Sequence, residues 1–237
     1  MIRKIILGLI VLAVIALAVS YRTSLQKERG ENLIAQAYYG DLLAVKDEVE
    51  KGAPLDFEFY FSDSERDYVH VCFNALHAAA SGGNEDVINF LLEQGMNINA
   101  QTPDGWTPLF IAARDGQAEA AKLLVFRGAA INLLTNRGAS ALLMAVTQPY
   151  ETEKVRENLL VYLLKRGANP NLSAENGFPP LYYAAVTRNV RAVELLLEYG
   201  AQLTPDLQKK TLSLLQQKPS AAGKKIAALL RAAQAKK

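Results

Sequence analysis

The side chains with chemical potential in this chain are few, and their spacing limits what they can do. His70 and Cys72 stand two apart in an alternating stretch, so on a strand they share one face and together supply two zinc-type ligands. A closed site needs four, and no second pair lies nearby. His77 opens an Ala-rich apolar segment. Glu151 and Glu153 have the pairing that acid–base catalysis uses, but they sit in a polar loop where solvated charge is the default. The chain has no phosphate-cradling glycine loop, no zinc-hydrolase helix motif and no serine in a nucleophile elbow. These residues point away from an enzyme, with no catalytic, cofactor-binding or metal residues.

The elements that carry these residues repeat. Leu76, Leu109, Leu142 and Leu181 follow one another at intervals of 33, 33 and 39 residues, each near the start of an Ala-rich helix. Gly95, Gly128, Gly167 and Gly200 each close a Leu-Leu helix. A period of this size marks a solenoid of stacked supersecondary units, none of which can cover its own apolar face. The chain has 237 residues, half of them hydrophobic, which is enough for a continuous core. Its single cysteine excludes an intramolecular disulfide framework.

The second copy reads Asp104-Gly105-Trp106-Thr107-Pro108-Leu109-Phe110-Ile111-Ala112-Ala113, then Leu123-Leu124 and Gly128-Ala129-Ala130-Ile131-Asn132. With Asn74-Ala75-Leu76-His77-Ala78-Ala79, Gly167-Ala168-Asn169-Pro170-Asn171 and Gly177-Phe178-Pro179-Pro180-Leu181, it resembles the ankyrin-repeat family, over most of residues 32–204. The resemblance implies an all-α repeat solenoid of helix–turn–helix pairs with short β-hairpin loops, in which His77 ties hairpins together and the position of Phe73, Trp106, Ala139 and Phe178 lies on the hairpin side of a concave surface. It also implies a protein-binding module. Each residue type has a mechanical reason: Thr107-Pro108 caps and starts a helix, Ala112-Ala113 permit close approach, and Gly128 takes the left-handed conformation at a helix end.

Before the repeats, Met1-Ile2-Arg3-Lys4 is followed by fifteen residues, Ile5 to Val19, that are all apolar or Gly. Fifteen residues reach roughly 23 Å, and counting Ile2 to Tyr21 with Arg3 and Lys4 snorkelling closes the gap to a bilayer core of about 30 Å. A retained single-pass anchor is favoured over a cleaved signal, with the remainder outside the cytoplasm, in a bacterial periplasm. The alternative is a soluble periplasmic protein after cleavage. The expected organisation is residues 1–21 as one N-terminal hydrophobic helix, 22–31 as a linker, 32–56 as a capping repeat, 57–73 as an inserted finger, 74–204 as four repeats and 205–237 as basic capping helices.

Charge is distributed unevenly. Residues 21–203 hold 16 Lys/Arg against 23 Asp/Glu, whereas residues 204–237 hold eight basic residues and only Asp206 opposing them. The net charge of +2 gives no argument for nucleic acid. The tail reads as a solvated face on terminal helices or as a contact with anionic lipid.

Two interruptions individualise the array. About ten extra residues precede Asn74, and Phe57 to Phe73 alternates around a polar turn, which reads as a lengthened hairpin carrying Phe57, Phe59, Tyr60, Phe61, Tyr68 and Phe73. Two readings stand: the aromatics fold back over the first repeat, or they form a partner-binding finger. Six extra residues around Pro149 to Lys154 lengthen a connection in the third repeat and read as a neutral surface loop. The candidate binding strip joins the finger to Trp106, Arg114, Asp115, Thr147, Gln148 and Phe178. The implied partner is a protein, the chain is monomeric, and no cofactor is required. Within this reading the resemblance extends to exported ankyrin proteins that act as immunity proteins against secreted effectors, or as accessories to periplasmic oxidative-defence enzymes. A membrane-surface scaffold using its basic tail is the reading from a different class.

Overall fold

A computed structural model describes the backbone of residues 2–62 and 70–235, and the side chains of residues 15–59 and 73–234. Helices come in pairs that stack into two rows. The inner row is α1 (Ile2–Tyr39), α3 (Ala75–Gly82), α5 (Pro108–Arg114), α7 (Ala141–Thr147), α9 (Pro180–Val186) and α11 (Pro205–Gln217). The outer row is α2 (Leu42–Glu50), α4 (Glu85–Glu93), α6 (Ala118–Phe126), α8 (Glu153–Lys165), α10 (Val190–Glu198) and α12 (Ala221–Ala235). Each helix contacts its pair-mate and the next helix of its own row.

Local chemistry sets these elements. The period-setting leucines are the second residues of the inner helices and are at most 1% exposed, and the alanines after them let inner helices approach closely. Asn74, Thr107, Ser140 and Thr204 are N-caps whose side chains accept from the backbone N–H three residues on. Pro108, Pro180 and Pro205 occupy the first helical turn, where a missing N–H costs nothing. Leu91, Leu124, Leu163 and Leu196 from the outer helices fill the space between repeats and are fully buried.

Side-chain ladders join the repeats at two levels. On the hairpin side, Asn99 Oδ1 accepts from Ala130 N, Asn132 Oδ1 from Asn169 N, and Asn171 Oδ1 from Gln202 N, each at 2.8 Å. At the opposite edge, where inner helices turn into outer ones, Asn84 Nδ2 donates to the carbonyls of Ala37 (2.8 Å) and Tyr38 (2.7 Å). Gln117 Nε2 donates to Ser81 O at 3.2 Å in the same way. At these junctions a side chain from one repeat thus satisfies carbonyls left open at the end of the previous inner helix.

Residues 22–31, expected as a linker, are helical and belong to α1, which runs without a break into the first repeat. The reason is local: no proline interrupts this polar stretch, Lys27 and Glu31 pair at i,i+4, and Gly30 is buried as a packing contact. The first fourteen side chains of the expected anchor lie outside the described residues, and Ile15, Leu17, Val19 and Tyr21 are exposed. Among the described residues no helix is long and apolar enough to cross a membrane. The six-residue interruption is not a neutral loop: two residues lengthen the connection and four extend α8, which has 13 residues where α4, α6 and α10 have nine. Tyr150 from this connection donates its hydroxyl to Ala113 O at 2.7 Å, the bond that Asn84 and Gln117 make at earlier junctions.

The C-terminal pair is part of the stack. α11 packs on α9 and α12 on α10, and the pair buries Thr211, Leu215, Ile226 and Leu230. Its lysines stay outward, with Lys225 Nζ 2.8 Å from Glu194 of the preceding repeat.

Candidate functional site

The lengthened hairpin consists of β1 (Phe59–Ser62) and β2 (His70–Phe73), antiparallel, with Phe59 opposite Phe73, Tyr60 opposite Cys72 and Phe61 opposite Val71. Residues 63–69, with Tyr68, lie outside the described residues, as do the side chains of Tyr60, Phe61, His70 and Cys72. The remaining finger aromatics pack back on the body, as in the first of the two readings. Phe73 is 7% exposed and joins Phe110 and Ile111 in a small cluster. Phe57 lies over Gly30, and Phe59 packs half-buried against the main core. A Cβ on Gly30 would come within 2.2 Å of the Phe57 ring, so a glycine is what allows this base of the hairpin to lie on α1. Apolar area at the root of the hairpin goes into the body.

Two side-chain groups remain accessible on the inner-helix side. In the first, Trp106 is half-buried over Phe73, Phe110 and Ile111, and the Arg114 guanidinium stacks 4.6 Å from its ring centroid. Arg114 donates to both carboxylate oxygens of Asp115, at 2.6 and 2.8 Å, and Ser81 Oγ donates to Asp115 Oδ2 at 2.5 Å. The fork-to-carboxylate geometry fixes Arg114 over the indole and leaves a nearly neutral polar edge around an apolar plate. Trp106, Arg114 and Asp115, predicted from sequence, therefore form one group that bridges the first and second repeats.

The second group was only partly foreseen. Phe178 stacks on Tyr182 with centroids 4.2 Å apart and planes at 13°, Tyr183 meets both edge-on, and Lys210 of α11 stands 4.8 Å over the Phe178 ring. Asn176 Nδ2 donates to the Tyr183 hydroxyl at 2.8 Å. Tyr182 and Tyr183 escaped the sequence reading because they sit in the run where other copies carry His77-Ala78, Phe110-Ile111 and Leu143-Met144. Aromatic residues at both places were the available signal. Between the groups, Ala139 and Met144 continue the apolar floor.

Thr147 and Gln148 do not join this strip. The Thr147 hydroxyl donates to Leu143 O at 3.0 Å, and the Gln148 carbonyl accepts from Arg156 at 3.0 Å at the turn edge.

His77 is a structural residue. Its Nε2 faces the Ala100 carbonyl at 3.0 Å, which can only accept, so the proton resides on Nε2 and Nδ1 accepts from Asn74 N–H at 3.3 Å. With Asn74 Oδ1 accepting from His77 N–H, this is a capping box that also ties α3 to the loop ahead of the next repeat. Burial lowers the imidazole to about 4, against two backbone hydrogen bonds and Glu58 that favour protonation. The ring is neutral at physiological pH and shielded from solvent. Among the described residues no group of three His, Cys, Asp or Glu is arranged to hold a metal ion.

A continuous stack of helix pairs, with His77 tied into the scaffold and aromatic plates on one side, defines a repeat solenoid built for contact. The family profile "Ankyrin repeats (3 copies)" matches residues 35–135 and 122–206, and the chain belongs to that family. It is 32% identical to an ankyrin repeat-containing protein of Treponema pallidum over 56% of this chain and 42% of that protein. It is 29% identical to an ankyrin repeat, SAM and basic leucine zipper domain-containing protein of Dasypus novemcinctus, over 52% of this chain and 26% of the relative. A fowlpox virus ankyrin repeat protein is 32% identical over 50% of this chain and 34% of its own length. The chain spans less than half the length of these relatives, and the likeness is one of repeats. Ankyrin repeats are protein-interaction modules, and nothing among the described residues indicates catalysis.

Proposed function

We propose that this chain is a non-enzymatic binding module that grips a protein partner along its inner-helix side, tethered by residues 1–21 on the extracytoplasmic face of a membrane. The observation that carries the binding reading is the pair of accessible aromatic groups, Trp106 with Arg114 and Phe178 with Tyr182 and Tyr183, each held in one geometry by hydrogen bonds or stacking. Rigid aromatic and arginine plates bind with little loss of side-chain entropy and are what interface hot spots are made of. The tether rests on the apolar run from Ile5 to Val19 and on the unbroken helix that joins it to the first repeat.

A photo-crosslinkable phenylalanine placed at Trp106 or at Phe178 in the full chain tests the binding reading. Both positions should capture the same protein in cells, and the same probe at Phe126, exposed on α6 of the outer row, should not. Equal capture from Phe126 would discard the inner strip. The tether is tested separately: carbonate-washed membranes should retain the full chain and lose a form lacking residues 1–21.

A further inference from the structure

Arg188 is the one non-glycine residue with positive φ among the described residues, at +60°. It occupies the turn between inner and outer helices where Gly40, Gly83 and Gly116 stand at +76° to +80°. Glycine takes this conformation without strain and an arginine does not, so the position spends conformational energy to put a guanidinium at this edge. The edge is also where the ladder of Asn84, Gln117 and Tyr150 joins successive repeats. At the next junction the ladder changes. Asn189, the residue in line with Gln117, uses its Oδ1 to cap its own helix at Ala192 N.

A cleft of about 400 Å³ opens at this junction, lined by Thr147, Arg156, Thr187, Arg188 and Asn189 and by one carboxylate, Glu153. Arg156 commits Nη1 to Glu153, at 2.7 and 2.9 Å, and Nη2 to Gln148 O. Arg188 commits Nη2 to Lys218 O at 2.7 Å. The Nε atoms of both arginines are buried without a hydrogen-bond partner. Buried guanidinium donors left open call for an acceptor, and two arginines against one carboxylate leave the cleft with net positive charge. The first residue of α10, Val190, also lines it, so the positive end of that nine-residue helix adds to the same field.

We propose that this cleft between the third and fourth repeats binds an oxyanion, a phosphate or a carboxylate, through Arg156 and Arg188 with the side-chain amide N–H of Asn189 as a neutral donor. The site is created by the six-residue interruption, which moves the start of α8 and brings Arg156 to a junction that a regular repeat would close. It is independent of the aromatic strip.

The test follows the Nε–Hε resonances of Arg156 and Arg188 by NMR in the full chain in detergent micelles. Inorganic phosphate is titrated against chloride at matched ionic strength. Saturable shifts of both signals with phosphate are expected, and Arg188→Gly should weaken binding at least about tenfold. Glycine suits the positive φ and offsets the lost bond to Lys218 O, so this variant keeps its fold, and a cooperative thermal transition with dispersed amide resonances matching the parent's away from the cleft verifies it. A response equalled by chloride, or one that survives Arg188→Gly, overturns the proposal. An acetylated, amidated Asp-Asp dipeptide separates the sources: competition with phosphate assigns the site to a partner's carboxylates, and binding of phosphate alone assigns it to free phosphate.

Discussion

Tyr150 and Ala113 are joined by a 2.7 Å hydrogen bond that replaces, in the third repeat, the amide-to-carbonyl bond made by Gln117 one repeat earlier. The interruption that breaks the sequence period therefore restores the contact that the period would have supplied. Burial raises the phenol well above its ordinary range, which keeps the hydroxyl a donor at all working pH values.

Tyr150→Phe leaves the ring in place and the Ala113 carbonyl without its donor. It should cost about 1–2 kcal/mol, the usual loss when a partly buried acceptor is left unpaired. Urea unfolding at neutral pH measures it. A midpoint equal to that of the parent would show that water replaces the hydroxyl freely.

His77 predicts the pH dependence of stability. Its folded-state value of about 4 lies below the ordinary 6.5, so between these values the unfolded chain binds more protons than the folded one. The contribution is fully present above about pH 6.5 and is lost as pH falls to about 4, an effect of about 3 kcal/mol. Urea midpoints should fall over this window in the parent, and His77→Gln should flatten that part of the profile. A parent profile with the same slope as His77→Gln would contradict the buried neutral ring.

The contact of Gly30 with Phe57 can be read by a double-mutant cycle. Gly30→Ala gains up to about 1 kcal/mol of helix propensity, but its Cβ meets the Phe57 ring at 2.2 Å. The net effect should be a loss of about 1–2 kcal/mol, as for other overpacked sites. In a Phe57→Ala background the same change should stabilise, which gives a coupling of about 2 kcal/mol. Additive effects would mean that the ring moves aside without cost.

These contacts mark where the sequence was legible and where it was not. Leu76, Leu109, Leu142 and Leu181 could be placed because their role is local and repeats: each starts a helix and faces the same neighbours. Trp106 and Arg114 could be named because they fall at a fixed offset from those leucines. Gly30 could not, since a glycine in a polar stretch looks like a linker until the ring it accommodates is known. Tyr150 and Arg188 were hidden for the same reason. One makes a bond normally made by an amide and the other takes a conformation normally given to glycine, so residue type concealed the role.

The C-terminal pair provides the last prediction. Ile226 on α12 is fully buried, and α11 and α12 cover the open faces of α9 and α10 in the manner of another repeat. A solenoid whose final repeat lacks a cover exposes its inter-repeat surface, so α11 and α12 should act as a cap and not as a separable tail. Ile226→Ala should then cost about 3 kcal/mol in urea unfolding, the usual loss for a large aliphatic side chain removed from a packed site. Ending the chain after Thr204 uncovers Leu181 and Leu197, which line the cleft facing Pro205 and Leu230, and should yield an aggregating product. If that shortened chain unfolds with the parent midpoint, the terminal helices contribute nothing to the stack, and the eight basic residues of 204–237 are free to serve as a membrane or partner contact.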